Sequence, residues 1–66
     1  MKKKYKIDLS FYDEKILQKT VELFSDVANI KYEDSQLIIE GKNENEIGEI
    51  YKEFLNFYIY VFNTEI

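Results

Sequence analysis

Nine consecutive residues near the C-terminus, Phe54-Leu55-Asn56-Phe57-Tyr58-Ile59-Tyr60-Val61-Phe62, contain a single polar side chain. No other segment constrains the fold as tightly. The apolar positions that lead into it, Ile47, Ile50, Tyr51 and Phe54, recur at three- and four-residue steps, the spacing of one face of an α-helix. The spacing predicts a helix from Asn43 or Glu44 to about Asn63. At about 100° per residue, Phe54, Phe57, Tyr58 and Val61 continue the core-facing stripe. Leu55, Ile59 and Phe62 then fall on a second stripe, with Tyr60 on the opposite flank. One amphipathic helix needs only the first.

What the second stripe packs against depends on the rest of the chain, and the chain has only 66 residues. A domain of that size buries about 60% of the surface its unfolded form exposes, so it holds one core. Small domains often compensate with disulfides or a structural metal. Here there is no Cys and no His, which leaves packing or association. Residues 1–66 are therefore expected to form a single small domain.

Tyr5, Ile7 and Leu9 alternate with Lys4, Lys6 and Asp8, the period-two pattern of a strand with one buried face. Ser10-Phe11-Tyr12-Asp13 fits a capping box, with the Ser10 hydroxyl as cap. A helix over Asp13–Ser25 follows, with Ile16, Leu17, Thr20, Val21 and Phe24 on one face. Ala28, Ile30 and Tyr32 restore period two; Glu33-Asp34-Ser35 supplies a turn, and Leu37-Ile38-Ile39 forms a third strand. The third strand has the densest apolar run and is assigned to the centre of the sheet. The lysine-bearing first and second strands go to its edges, where lysine discourages edge-to-edge pairing.

The expected architecture is α+β, two-layer βαββα, with a three-stranded, mostly antiparallel sheet of order 2-3-1 and two helices on one face. The opposite face would meet water through Lys4, Lys6, Asp8, Asn29, Lys31, Gln36 and Glu40, interrupted only by Val27 and Ile38. Nothing in this scheme covers Leu55, Ile59 and Phe62. Since aromatic side chains are enriched at interface hot spots, Leu55, Ile59, Tyr60 and Phe62 are the expected partner-binding residues. Two alternatives stay open: the last turn wraps over the first helix with its tyrosine hydroxyls reaching solvent, or Phe57–Phe62 is a strand, since its residue types favour extended structure.

Several functions lack their chemistry. Without His or Cys there is no Ser-His or Cys-His pair, and Ser10, Ser25, Ser35, Thr20 and Thr64 have no obvious general base. No Arg is available for a bidentate phosphate clamp, and no glycine-rich phosphate loop occurs. Asn43-x-Asn45-x-x-Gly48 begins like a calcium loop, but Ile47 stands at the fifth position and Phe54 at the twelfth, where a bidentate Glu is required. The expectation is no enzyme, no catalytic residue, no metal and no cofactor. A net charge of −4 repels a phosphate backbone, so nucleic acid is a poor partner. The basic run Lys2–Lys6 lacks the apolar stretch of a signal peptide, and no segment approaches the ~20 apolar residues of a membrane span. A cytoplasmic location, with no membrane partner, is expected.

Across Tyr5 to about Phe62 the chain resembles the HxsD-like family, small accessory proteins of His-Xaa-Ser peptide-modification systems. The resemblance rests on Asp8-Leu9-Ser10, on Tyr12-x-x-x-x-Ile16-Leu17-x-Lys19, on the strand pair around Ile30 and Ile38-Ile39 followed by Lys42, and on Phe54-Leu55-Asn56-x-Tyr58. The last is similar to a family signature, Leu-Leu-Asn-Asp-Tyr-x-Leu-Arg-Glu, from which Phe57, Tyr60, Val61 and Phe62 depart. The resemblance implies a non-catalytic protein encoded beside radical-SAM peptide-modifying enzymes, binding a maturase or a precursor peptide. The iron–sulfur chemistry would belong to the partner, since this chain has no thiolate. Docking would use the C-terminal helix, or a peptide would pair with an exposed strand edge. The alternative is a self-associating module, a homodimer through the Leu55/Ile59/Phe62 stripe.

Overall fold

The lysine-rich start of the chain, with Tyr5 as its one apolar anchor, forms β1 (Lys2–Lys6) in the computed structural model, which describes residues 1–65. There follow α1 (Glu14–Phe24), β2 (Asn29–Glu33), β3 (Gln36–Glu40) and α2 (Glu44–Glu65). β3 is central and antiparallel to both neighbours, giving the order β1-β3-β2. This is the expected α+β arrangement, with its sheet order read from the other edge. β1 and β2 run parallel with β3 between them, so β1-α1-β2 is a split β-α-β unit.

The first strand differs from expectation in its limits. It begins at Lys2 and ends before Ile7, whereas alternation alone extends it to Leu9. Asp8 accounts for the difference. Its carbonyl accepts from the amides of Phe11 and Tyr12 at 3.0 and 3.3 Å, and its carboxylate accepts from both the amide and the hydroxyl of Ser10. The chain therefore turns there, Ile7 remains buried, and Leu9 emerges into solvent. The same contacts remove Ser10 from the capping role expected of it. Asp13 caps α1 instead, its carboxylate accepting from the Ile16 amide at 3.1 Å.

Asp34 and Ser35 join β2 to β3 in two residues, both with positive φ, 53° and 58°, the type I′ geometry that matches the twist of paired strands. The register Ile30↔Ile39 and Tyr32↔Leu37 sends Ile30, Leu37 and Ile39 into the core. There they meet Leu17 and Phe24 of α1 and Ile47, Phe54 and Tyr58 of α2. Thr20 is the buried polar residue of α1, its hydroxyl satisfied by the Ile16 carbonyl at 2.7 Å. Gly41 lets α2 come close to the end of β3: a Cβ there would stand 2.9 Å from Ile47 Cγ1 and from Glu46 Oε1. Asn43 opens α2 by accepting from the Glu46 amide at 2.9 Å, while Glu46 reaches back to the Lys42 amide at 3.0 Å.

Lengths decide what α2 can cover. Its 22 residues rise about 33 Å, whereas a five-residue strand spans about 17 Å. The C-terminal half of α2 thus overhangs the sheet and packs on α1 and the β1–α1 loop. Phe57 meets Phe24 at a centroid distance of 5.8 Å, Tyr58 meets Tyr12 edge-on at 5.1 Å, and Lys19 pairs with Glu65.

Candidate functional site

The helix is unbroken through Phe57–Phe62, so the strand alternative falls. Phe54, Tyr58 and Val61 are buried, as their stripe predicts, while Phe57 is half-buried between Phe24 and Tyr60. The second stripe divides. Leu55 and Phe62 are half-buried against the core, Phe62 lying 6.0 Å from the ring of Tyr58. Ile59 is 57% exposed and Tyr60 63%. The expectation that all of Leu55, Ile59 and Phe62 lie uncovered is therefore corrected: Leu55 and Phe62 lean partly on the protein's own core. The last turns do lean on α1, through Phe57 and the Lys19–Glu65 pair, yet Ile59 and Tyr60 remain outside that contact.

Which neighbour each flank of α2 faces follows from its ring contacts. Tyr51 stacks on Tyr5 of β1 at 3.8 Å and 6° between planes, while Phe57 meets α1. Leu55 and Ile59 succeed Tyr51 at four-residue steps and Phe62 follows three later, so Tyr51, Leu55, Ile59 and Phe62 form one row on the β1 side of the helix. Tyr60 stands apart from that row, its ring 6.1 Å from that of Phe57. Desolvation at the Tyr5–Tyr51 stack raises the Tyr51 phenol above its ordinary pKa, and the neighbouring Tyr12 and Tyr5 add to the effect.

Beneath this row lies the edge of the sheet. Among the described residues β1 pairs on one side only. The amide of Ile7 donates to Ser35 and that of Gly41 to the Met1 carbonyl, each at 2.9 Å. Because inward- and outward-facing residues alternate in an antiparallel pair, Lys3 and Tyr5 bond to β3, and the N–H and C=O of Lys2, Lys4 and Lys6 face outward. Sequence reasoning assigned β1 to an edge but took its lysines only as protection. The register that sets which backbone groups face outward comes from the Tyr5↔Leu37 pairing, which has no local sequence signal.

The open face of the sheet carries three cross-strand rows: Lys2–Glu40–Asn29, Lys4–Ile38–Lys31 and Lys6–Gln36–Glu33. Asn29 Nδ2 donates to Glu40 Oε1 at 3.2 Å. Ile38, an exception in the expected polar face, is half-buried between Lys4 and Lys31. The stems of such lysines cover apolar surface while their ammonium groups stay in water. A depression of about 80 Å³ lies here, lined by Lys2, Asn29, Lys31, Ile38 and Glu40; drug-sized ligands occupy roughly 300–1,000 Å³. On the helix side, Tyr32 donates to Glu14 at 2.8 Å. Its phenol is raised, first by desolvation and then by that bond. Val27, the other exception, is 74% exposed in the α1–β2 connection.

Among the described residues, no group of three or more acidic, His or Cys side chains is placed to hold a metal ion. No helix there is long and apolar enough to cross a membrane. Nothing matches this chain in comparisons with protein-family models, curated proteins and solved structures.

Proposed function

We propose that this chain is a non-catalytic accessory protein that binds another polypeptide through the C-terminal half of α2. The observation that carries this is the pair Ile59 and Tyr60, each more than half exposed on the overhanging part of an otherwise packed helix. Leu55 and Phe62 extend Ile59 into a row already partly desolvated by the protein's own core. A partner that covers such a row removes further apolar surface at about 25 cal/mol per Å² and orders few additional side chains. The family resemblance gives the partner its class: a radical-SAM maturase, or the precursor peptide it modifies, in the cytoplasm. In that role the protein supplies contact and orientation, and the maturase supplies the cofactor and the chemistry.

Ile59→Asp places a charge in the row at a position that is 57% exposed and outside the core cluster. The variant is expected to keep its far-ultraviolet circular dichroism and its unfolding midpoint, and to bind a radical-SAM maturase of the proposed system at least tenfold more weakly than the wild type does. Binding at full strength by the folded variant would sink the helix-docking reading. Sedimentation of the wild type at micromolar concentration distinguishes the homodimer: a dimer that Ile59→Asp dissociates would assign the row to self-association.

A further inference from the structure

We infer that the outer edge of β1 is an acceptor for an extended, acidic segment of a partner, which adds to the sheet as a fourth strand. This rests on the proposed role as a polypeptide binder, and it gives that role a second site and a ligand chemistry.

Backbone groups supply the first requirement. Lys2, Lys4 and Lys6 direct N–H and C=O away from β3, and an added strand satisfies such groups as β3 satisfies those of Lys3 and Tyr5. Charge supplies the second. Four of the nine lysines lie in this five-residue strand with no acidic residue among them, in a chain whose net charge is −4. Side chains of Lys2, Lys4 and Lys6 share the open face of the sheet. Residues opposite them in a fourth strand are acidic, because opposite charges directly across a strand pair attract and like charges repel.

The intervening residues of that strand turn toward the helix layer, opposite Tyr5 and Lys3; the one beside Tyr5, below the Tyr51–Leu55 flank of α2, is apolar, and at Lys3 the ammonium already lies over the Tyr5 ring, 5.4 Å from its centroid. The preferred segment therefore alternates acidic with apolar residues. A second copy of β1 is the wrong occupant, since antiparallel pairing sets Lys4 against Lys4 and Lys2 against Lys6. The lysines that bar self-association are those that admit an acidic strand. β2, the other edge, offers Asn29, Lys31 and Glu33 on the same face, with no dominant sign.

The probe is a short peptide alternating Glu with Val, titrated into the full chain and followed by amide hydrogen exchange. Exchange at Lys2, Lys4 and Lys6 is expected to slow, while the amides of Lys3 and Tyr5 are unaffected. Lys4→Glu is expected to weaken the peptide about tenfold and to favour its Lys/Val counterpart; Lys6→Glu repeats the test at a second exposed position. Protection at Ile30 and Tyr32 instead, no protection at saturation, equal binding of the Glu/Val and Lys/Val peptides, or displacement by single-stranded DNA would each overturn the assignment. The peptide titration reads the edge of β1 and maturase binding by Ile59→Asp reads α2, so failure at β1 and failure of docking through α2 give different results.

Discussion

The hydroxyl of Tyr58, in the second half of α2, accepts a hydrogen bond from the amide of Asp13 at 2.9 Å. Asp13 is the N-cap of α1, so a side chain distant in sequence satisfies a backbone donor where one helix begins and fixes the two helices relative to each other. Tyr58→Phe keeps the ring in the core and leaves the amide without its partner, at a cost of about 1–2 kcal/mol. Urea unfolding measures it, and an unchanged midpoint would show that water replaces the hydroxyl without loss.

The two glycines are expected to respond in opposite directions. Gly48 lies inside α2, and a methyl added there would meet nothing within 4 Å beyond the helix itself, so Gly48→Ala is expected to stabilise by about 0.5–1 kcal/mol. Gly41→Ala drives a methyl against Ile47 and Glu46 and is expected to destabilise. Thermal unfolding of the pair decides both, and equal shifts of the same sign would contradict the close approach at Gly41.

Asp34 and Ser35 hold left-handed backbone without being glycine. Replacing them with Asn-Gly, the preferred type I′ pair, is expected to raise stability by about 1 kcal/mol with the register of β2 and β3 unchanged. Amide exchange across the hairpin checks the register and denaturant unfolding the gain.

Alkaline pH tests the Tyr5–Tyr51 stack. Because Tyr51 is raised from about 10.0 in the folded protein, its contribution is fully present below that value. It is lost as pH rises, since the unfolded chain releases the phenolic proton first. Stability is expected to decline above about pH 10, and Tyr51→Phe to make the decline shallower, with the raised Tyr32 phenol accounting for part of what remains. An identical pH profile for wild type and variant would remove Tyr51 from this role.

Element order and sheet order were legible because α1 and the start of α2 keep a 3.6-residue period, and because Leu37-Ile38-Ile39 is too apolar for an edge. The limits of β1 were not. Asp8 ends it through carbonyl and carboxylate contacts, whereas its sequence neighbours Ile7 and Leu9 still alternate. Ser10 illustrates the same competition, since a hydroxyl suited to capping is engaged by Asp8 two residues earlier. At the candidate site, periodicity separated Ile59 from Val61. Grouping Ile59 with Phe62 on one stripe overlooked their phase: at about 100° per residue Phe62, four residues after the buried Tyr58, lies nearer the core face than Ile59.

β1 also stands apart in the sequence separation of its contacts. The β2–β3 hairpin closes through two residues and each helix forms from local contacts, but Lys2 reaches Glu40 only across the whole of α1, β2 and the hairpin turn. Loop-closure entropy opposes such pairings, so β1 is expected to be the last strand to join and the first to detach, an order that native-state amide exchange at Lys3 and Tyr5 checks. Release of β1 would uncover the flank of β3 at Leu37 and Ile39, backbone that a strand of a second copy could then pair with.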